Sequence, residues 1–126
     1  FNQVFVAKED VIAFDTAFKQ LSLVGPFAQI MHAAIEVGIA RAAFEETLQR
    51  VRVARPWIDA NIESATQDPL TLSELGRVAT DVKASELLLK QAARSVDAAK
   101  QDLNAESLAK ASIDVAKYVR IVRKPH

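Results

Sequence analysis

The chain contains no cysteine. That excludes disulfides, thiolate nucleophiles and zinc–thiolate centres, and it fits a reducing, cytoplasmic setting. Glycine and proline are scarce, with three and four residues among 126. A glycine-rich phosphate loop is therefore absent, and little punctuation exists to break long elements. Aromatic residues make up only 6% of the chain, too few for a ladder that stacks bases. Charge of either sign is not in excess, since 16 Lys and Arg balance 16 Asp and Glu. Without a basic or acidic balance, nothing in the net charge favours nucleic acid or an acidic membrane surface. No apolar run approaches the ~20 residues needed to span a bilayer, and no charged-then-apolar leader is visible.

What is present is apolar and long in period. At 126 residues, half of them apolar, the chain is large enough for one domain with a real core. It begins at Phe1 rather than methionine and ends in Arg123-Lys124-Pro125-His126 directly after a helical pattern. With so few turn residues, it reads as a piece of a longer chain.

Val4-Phe5-Val6 is a strand-prone run followed by Lys8-Glu9-Asp10, so residues 2–13 are expected to form a short strand and its exit. A lone strand cannot satisfy its backbone and needs a sheet elsewhere. Residues 14–24 read as a loop with a helical turn. A first long helix is expected over residues 26–53, opened by Gly25-Pro26. Phe27, Ile30, Met31, Ala34, Ile35, Ile39, Ala42 and Ala43 cover most of its circumference, leaving a narrow stripe of Gln29, His32 and Glu36. A helix apolar nearly all round is expected to be buried among others. Residues 54–70 form a long connection in which Pro56, Trp57, Ile58 and Ile62 should pack on something.

A second long helix is expected over residues 72–103, with Thr71 and Glu74 as a capping box behind Asp68-Pro69. Leu72, Leu75, Ala79, Val82, Leu89, Ala93, Val96 and Leu103 repeat at bundle spacing. Asn104 can cap a third helix, whose seam of Leu108, Ser112, Val115, Val119 and Val122 runs to about Lys124. The fold class is thus all-α: an up-down bundle of three long helices with the fourth missing and a short extended N-terminal segment. Residues 1–24 are the connecting segment and residues 25–126 the incomplete bundle.

Few residues carry candidate chemistry. His32 and Glu36 lie four apart, but a metal site needs three or four ligands, so His32 is expected to be a hydrogen-bonded structural residue and no metal is expected. The carboxylates are scattered; Asp59, Glu63 and Asp68 could pair with nearby arginines. The segment Arg50-Val51-Arg52-Val53-Ala54-Arg55-Pro56-Trp57 holds three cations at a helix end, then the only tryptophan. The bland reading is that these cations complement the negative end of the helix dipole. The functional reading is an anion clamp, an arginine beside an aromatic ring holding the phosphate of a planar cofactor.

Gly25-Pro26-Phe27-Ala28-Gln29-Ile30, Gly38-Ile39-Ala40-Arg41-Ala42-Ala43, Ala54-Arg55-Pro56-Trp57 and Gln67-Asp68-Pro69-Leu70-Thr71 occur in this order. Together they resemble the C-terminal helical domain of flavin-dependent monooxygenases with the acyl-CoA dehydrogenase fold, of the dibenzothiophene monooxygenase and sulfur-acquisition oxidoreductase type. The resemblance covers the chain to about Ala116, and its opening looks like that fold's last β-domain strand. It implies a homo-oligomer, a tetramer in the family, and reduced FMN supplied by a separate reductase to oxygenate a small organic, possibly organosulfur, substrate. It implies that Arg55 contacts the flavin phosphate and that Phe27 and Met31 are pocket-wall residues. It implies no catalytic residue in this chain: the family's active-site histidine lies beyond a fourth helix, and His126 matches no such motif. The 126 residues alone are expected to be inactive. An FAD-dependent acyl-CoA dehydrogenase is the alternative within the fold, and a non-catalytic helical oligomerisation module the alternative outside it.

Overall fold

The structure, a computed structural model, describes residues 2–17 and 19–122. Helices dominate it: α1 (Phe14–Ala17), α2 (Val24–Val53), α3 (Pro69–Gln101) and α4 (Ala105–Val122), with single 3-10 turns at Lys8–Asp10 and Ala65–Gln67. The three long helices pack on one another, and the second 3-10 turn sits against α2 and α3. The all-α bundle expected from the periodicity is what forms.

Val4 to Val6 pair with nothing, and there is no strand among the described residues. The expected strand is therefore absent here, because a single segment has no ladder to complete and its side chains stay exposed. The expected continuation of the last helix to Lys124, and His126, lie outside the described residues.

Helix boundaries moved for identifiable reasons. The second long helix begins at Pro69, three residues earlier than the Thr71 capping box implies. Asp68 is the N-cap, in extended conformation, and its carboxylate accepts from the amides of Leu70 and Thr71 at 3.2 and 3.1 Å. Proline at the first helical position is already φ-constrained and has no amide to satisfy. Glu74, released from the capping role, instead binds Arg77 at 2.9 Å. Asn104 does cap α4, accepting from the Ser107 amide at 2.9 Å.

The core is built largely from small residues. Ala92, Val96, Ala99, Ala111 and Val115 form one buried cluster, and Ala33, Val37 and Tyr118 another. Alanines let α3 and α4 approach closely, and Tyr118, 1% exposed, fills the space against α2. Its hydroxyl donates to the Ala33 carbonyl at 3.2 Å, and burial pushes the phenol up from its ordinary range. On the α3–α4 interface, buried Ser95 donates to the Asp114 carboxylate at 2.6 Å.

Contrary to the expectation of full burial, α2 buries one stripe only. Ile30, Ala33 and Val37 face the core. Val24, Phe27, Met31, Ile35 and Ile39 form a second apolar row that is exposed. At ~100° per residue this row points away from the core stripe.

Candidate functional site

The Arg55 element is shaped by its proline. Helix α2 ends at Val53, and Ala54 turns to extended backbone, φ −70° and ψ 141°. Pro56 disfavours helical backbone at Arg55 and so fixes where the helix stops. A turn follows, closed by the Ala60 amide donating to the Trp57 carbonyl at 3.0 Å. Asn61 then takes a left-handed conformation, φ 50°, which asparagine tolerates better than most residues. The connection ends in the Ala65–Gln67 turn, capped by Ser64 accepting from Thr66 at 3.2 Å, while the Gln67 side chain accepts from the Glu63 amide.

The three arginines separate in role. Arg50 pairs with Glu46 one turn earlier, at 2.9 Å. Arg52 and Arg55 are exposed and make no ion pair or hydrogen bond with another described residue. Asp68, one of the carboxylates expected to offset them, is committed to capping α3, where the Thr71 hydroxyl and amide hold its carboxyl below the usual range. Trp57 was expected to pack inward but is 77% exposed, and Ile58 is exposed too. Only Pro56 and Ile62 of that set are half-buried. Arg55 and Trp57 are thus both exposed, two positions apart on a loop whose backbone Pro56 restricts.

These groups suit an oxyanion in part. The guanidinium offers two parallel donors to an oxyanion, and the indole offers a face to a planar ring. Opposing them, α2 ends here, so its last carbonyls present partial negative charge. An oxyanion at this point would need Arg55 to outweigh that field and further donors for its remaining oxygens.

Phe27 and Met31, 55% and 52% exposed, lie near the other end of α2. From Met31 to the helix end at Val53 the axis runs about 33 Å. One chain therefore does not bring Arg55 together with Phe27 and Met31. The apolar groove of about 430 Å³ between α2 and α4, lined in part by Pro26, Val115, Ala116 and Val119, lies on a different side of α2 from the Phe27–Met31 row. His32, expected to be hydrogen-bonded, is exposed on α2. No group of three potential metal ligands occurs among the described residues, and no helix among them is long and apolar enough to cross a membrane. Sequence reasoning missed Ser95, Asp114 and Tyr118 as interior polar residues. Their only signal was position on the core side of otherwise apolar stripes.

Comparison with known proteins decides the family. The acyl-CoA dehydrogenase C-terminal domain matches residues 30–124. The chain belongs to that family. It is 30% identical over 107 residues to the dibenzothiophene monooxygenase of Mycolicibacterium goodii, which covers 79% of this chain and 26% of that protein. It is 34% identical over 101 residues to the dibenzothiophene monooxygenase of Rhodococcus erythropolis, covering 74% of this chain and 24% of that one. It is also 37% identical over 73 residues to the probable FMNH2-dependent monooxygenase SfnC of Pseudomonas putida, covering 57% and 18%. The chain spans about a quarter of the length of the dibenzothiophene monooxygenases it matches. No solved structure matches it. The three-helix bundle of this acyl-CoA dehydrogenase C-terminal domain is the frame that separates the Arg55 loop from the Phe27–Met31 row.

Proposed function

We propose that this chain is the C-terminal bundle of an FMN-dependent monooxygenase acting on a small organic, organosulfur substrate, and that it contributes Arg55 to the flavin phosphate. The observation that carries the reading is the Arg55 side chain, exposed and without an ion pair or hydrogen bond among the described residues, two positions before exposed Trp57 on the loop that Pro56 restricts. Its relatives support it: several are dibenzothiophene monooxygenases, and one is described as FMNH2-dependent. Reduced FMN, delivered by a separate reductase, would supply the oxygen chemistry. This chain's part is to bind and to wall off. Arg55 neutralises and orients the phosphate, while Phe27 and Met31 present an apolar wall to the substrate.

The distance along α2 adds a requirement. A flavin mononucleotide does not bridge about 33 Å of helix, so Arg55 and the Phe27–Met31 wall of one copy serve different sites. Such sites are completed between copies, consistent with a cytoplasmic homo-oligomer, a tetramer on this reading.

The test is flavin affinity in the uninterrupted reading frame that contains this chain. Arg55→Ala should raise the Kd for FMN about 10- to 100-fold, the worth of a charge-assisted hydrogen bond, with the oligomer intact. Arg50→Ala, whose side chain is already paired to Glu46, should leave it unchanged. Unaltered FMN binding in Arg55→Ala would overturn the assignment.

A further inference from the structure

The chain has one methionine and no cysteine, so Met31 holds its only sulfur atom. A sole methionine in a core would be inert packing. This one is 52% exposed and sits mid-row between Phe27 and Ile35 on the open face of α2. Its neighbours in the row, Phe27 and Ile35, are themselves exposed. The other oxidisable side chains differ from it: Tyr118 is buried, and Trp57 is open but lies at the far end of α2. A thioether is the side chain that mild peroxide attacks once thiols are absent.

We infer that Met31 is an oxidative modification site, converted to its sulfoxide by hydrogen peroxide, so that the α2 apolar face is a peroxide-sensitive surface. The oxidant's source rests on the proposed function, because reduced flavin in the presence of oxygen gives hydrogen peroxide. The accessibility of the sulfur does not rest on it. In the step, the sulfur lone pair attacks one peroxide oxygen. A sulfur–oxygen bond forms as the oxygen–oxygen bond breaks. The proton on the transferred oxygen passes to the departing hydroxide and leaves as water; sulfur is oxidised by two electrons and the peroxide reduced by two. The sulfoxide is polar and chiral, so it interrupts the apolar row at its centre. On the proposed function, an organosulfur substrate bound against the wall would shield the Met31 sulfur.

The experiment treats the 126-residue chain with excess hydrogen peroxide, natively and in urea, and follows intact mass with peptide mapping. One oxygen atom should be gained, at Met31, at a native rate within about threefold of the unfolded rate, as half exposure implies. Native protection beyond tenfold would mean the sulfur is covered and overturns the site. Met31→Leu should gain no oxygen. Anilinonaphthalene sulfonate fluorescence should fall on oxidation of the native chain and stay constant in peroxide-treated Met31→Leu; no fall in the native chain overturns the change of surface. Reduced FMN with air should reproduce the modification, and catalase should abolish it. Modification that persists with catalase overturns free peroxide as the oxidant. None of these outcomes depends on Arg55, whose role is decided by FMN affinity alone.

Discussion

Two polar contacts fix how α4 sits, and both join residues far apart in sequence. Tyr118 reaches the Ala33 carbonyl on α2, and Ser95 on α3 reaches Asp114 on α4. Tyr118→Phe keeps the ring and removes one donor, so it should cost about 1 kcal/mol in a denaturant titration. Ser95→Ala removes a hydrogen bond to an ionised acceptor and should cost about 1–2 kcal/mol. It should also change the acid limb. The Ser95 hydroxyl, then Lys117 at 3.5 Å and Lys110, hold the Asp114 carboxyl below the usual range against a desolvation that raises it. A depressed folded pKa contributes stability that is complete above the unfolded value of about 3.9. It is lost as pH falls through the folded pKa. Ser95→Ala should therefore shrink the loss of stability below about pH 4, and an unchanged acid limb would show the bond to be idle. The sequence did not disclose this pair. A seam drawn through Leu108, Ser112, Val115 and Val119 places Ser112 inward, whereas Ser112 is exposed and donates to the Leu108 carbonyl. The real seam turns through Ala111 and Tyr118. A one-residue phase error on an alanine-rich helix is not resolved by hydrophobicity, because alanine is acceptable on either face.

At the scale of the element, α2 shows why period alone misleads. Its composition suits a helix enclosed on all sides, yet its buried residues are Ala33 and Val37, with Ile30 packed beside the core and the Phe27–Met31–Ile35–Ile39 row exposed. Pattern announces how much apolar surface a helix carries, but not which neighbours are there to cover it. The start of α3 shows the opposite. Asp68-Pro69 is a complete N-terminal signal in the sequence, and the Thr71–Glu74 pair was a weaker competitor for the same end. Gly38 offers a direct measurement of the open side of α2. A Cβ built there meets nothing within 4 Å, so Gly38→Ala in this chain should stabilise by about 0.5–1 kcal/mol through helix propensity. The readout is the denaturation midpoint. Destabilisation would mean another backbone approaches α2 at Gly38, which the isolated bundle does not show.

At the scale of the whole molecule, the large apolar residues and the core are in different places. Among the described residues, four of the eight buried apolar ones are alanines, while Phe5, Phe27, Met31, Ile35, Ile39, Trp57 and Ile58 are exposed. Burial stabilises roughly in proportion to apolar area, at about 25 cal/mol per Å², so an alanine-lined core gives a bundle of this length little margin. The α2–α4 groove is one place where a helix could be added, with Val115, Ala116 and Val119 lining it and few polar atoms opposing closure. Filling it from another copy would bury apolar area without covering Phe27 or Met31, which lie on a different side of α2, and would leave the Arg55 loop open at the far end. The 13.8 kDa chain should therefore scatter light as more than a monomer at micromolar concentration, and its unfolding midpoint should rise with concentration. Ala116→Glu places an unpaired charge in the groove and should shift the population toward monomer while leaving FMN-independent properties such as Met31 oxidation unchanged. A cooperative monomer at micromolar concentration would remove the argument from the groove. A monomer produced by Ala116→Glu that also loses helicity would show instead that association and folding of this bundle are a single event, as they are in obligate oligomers.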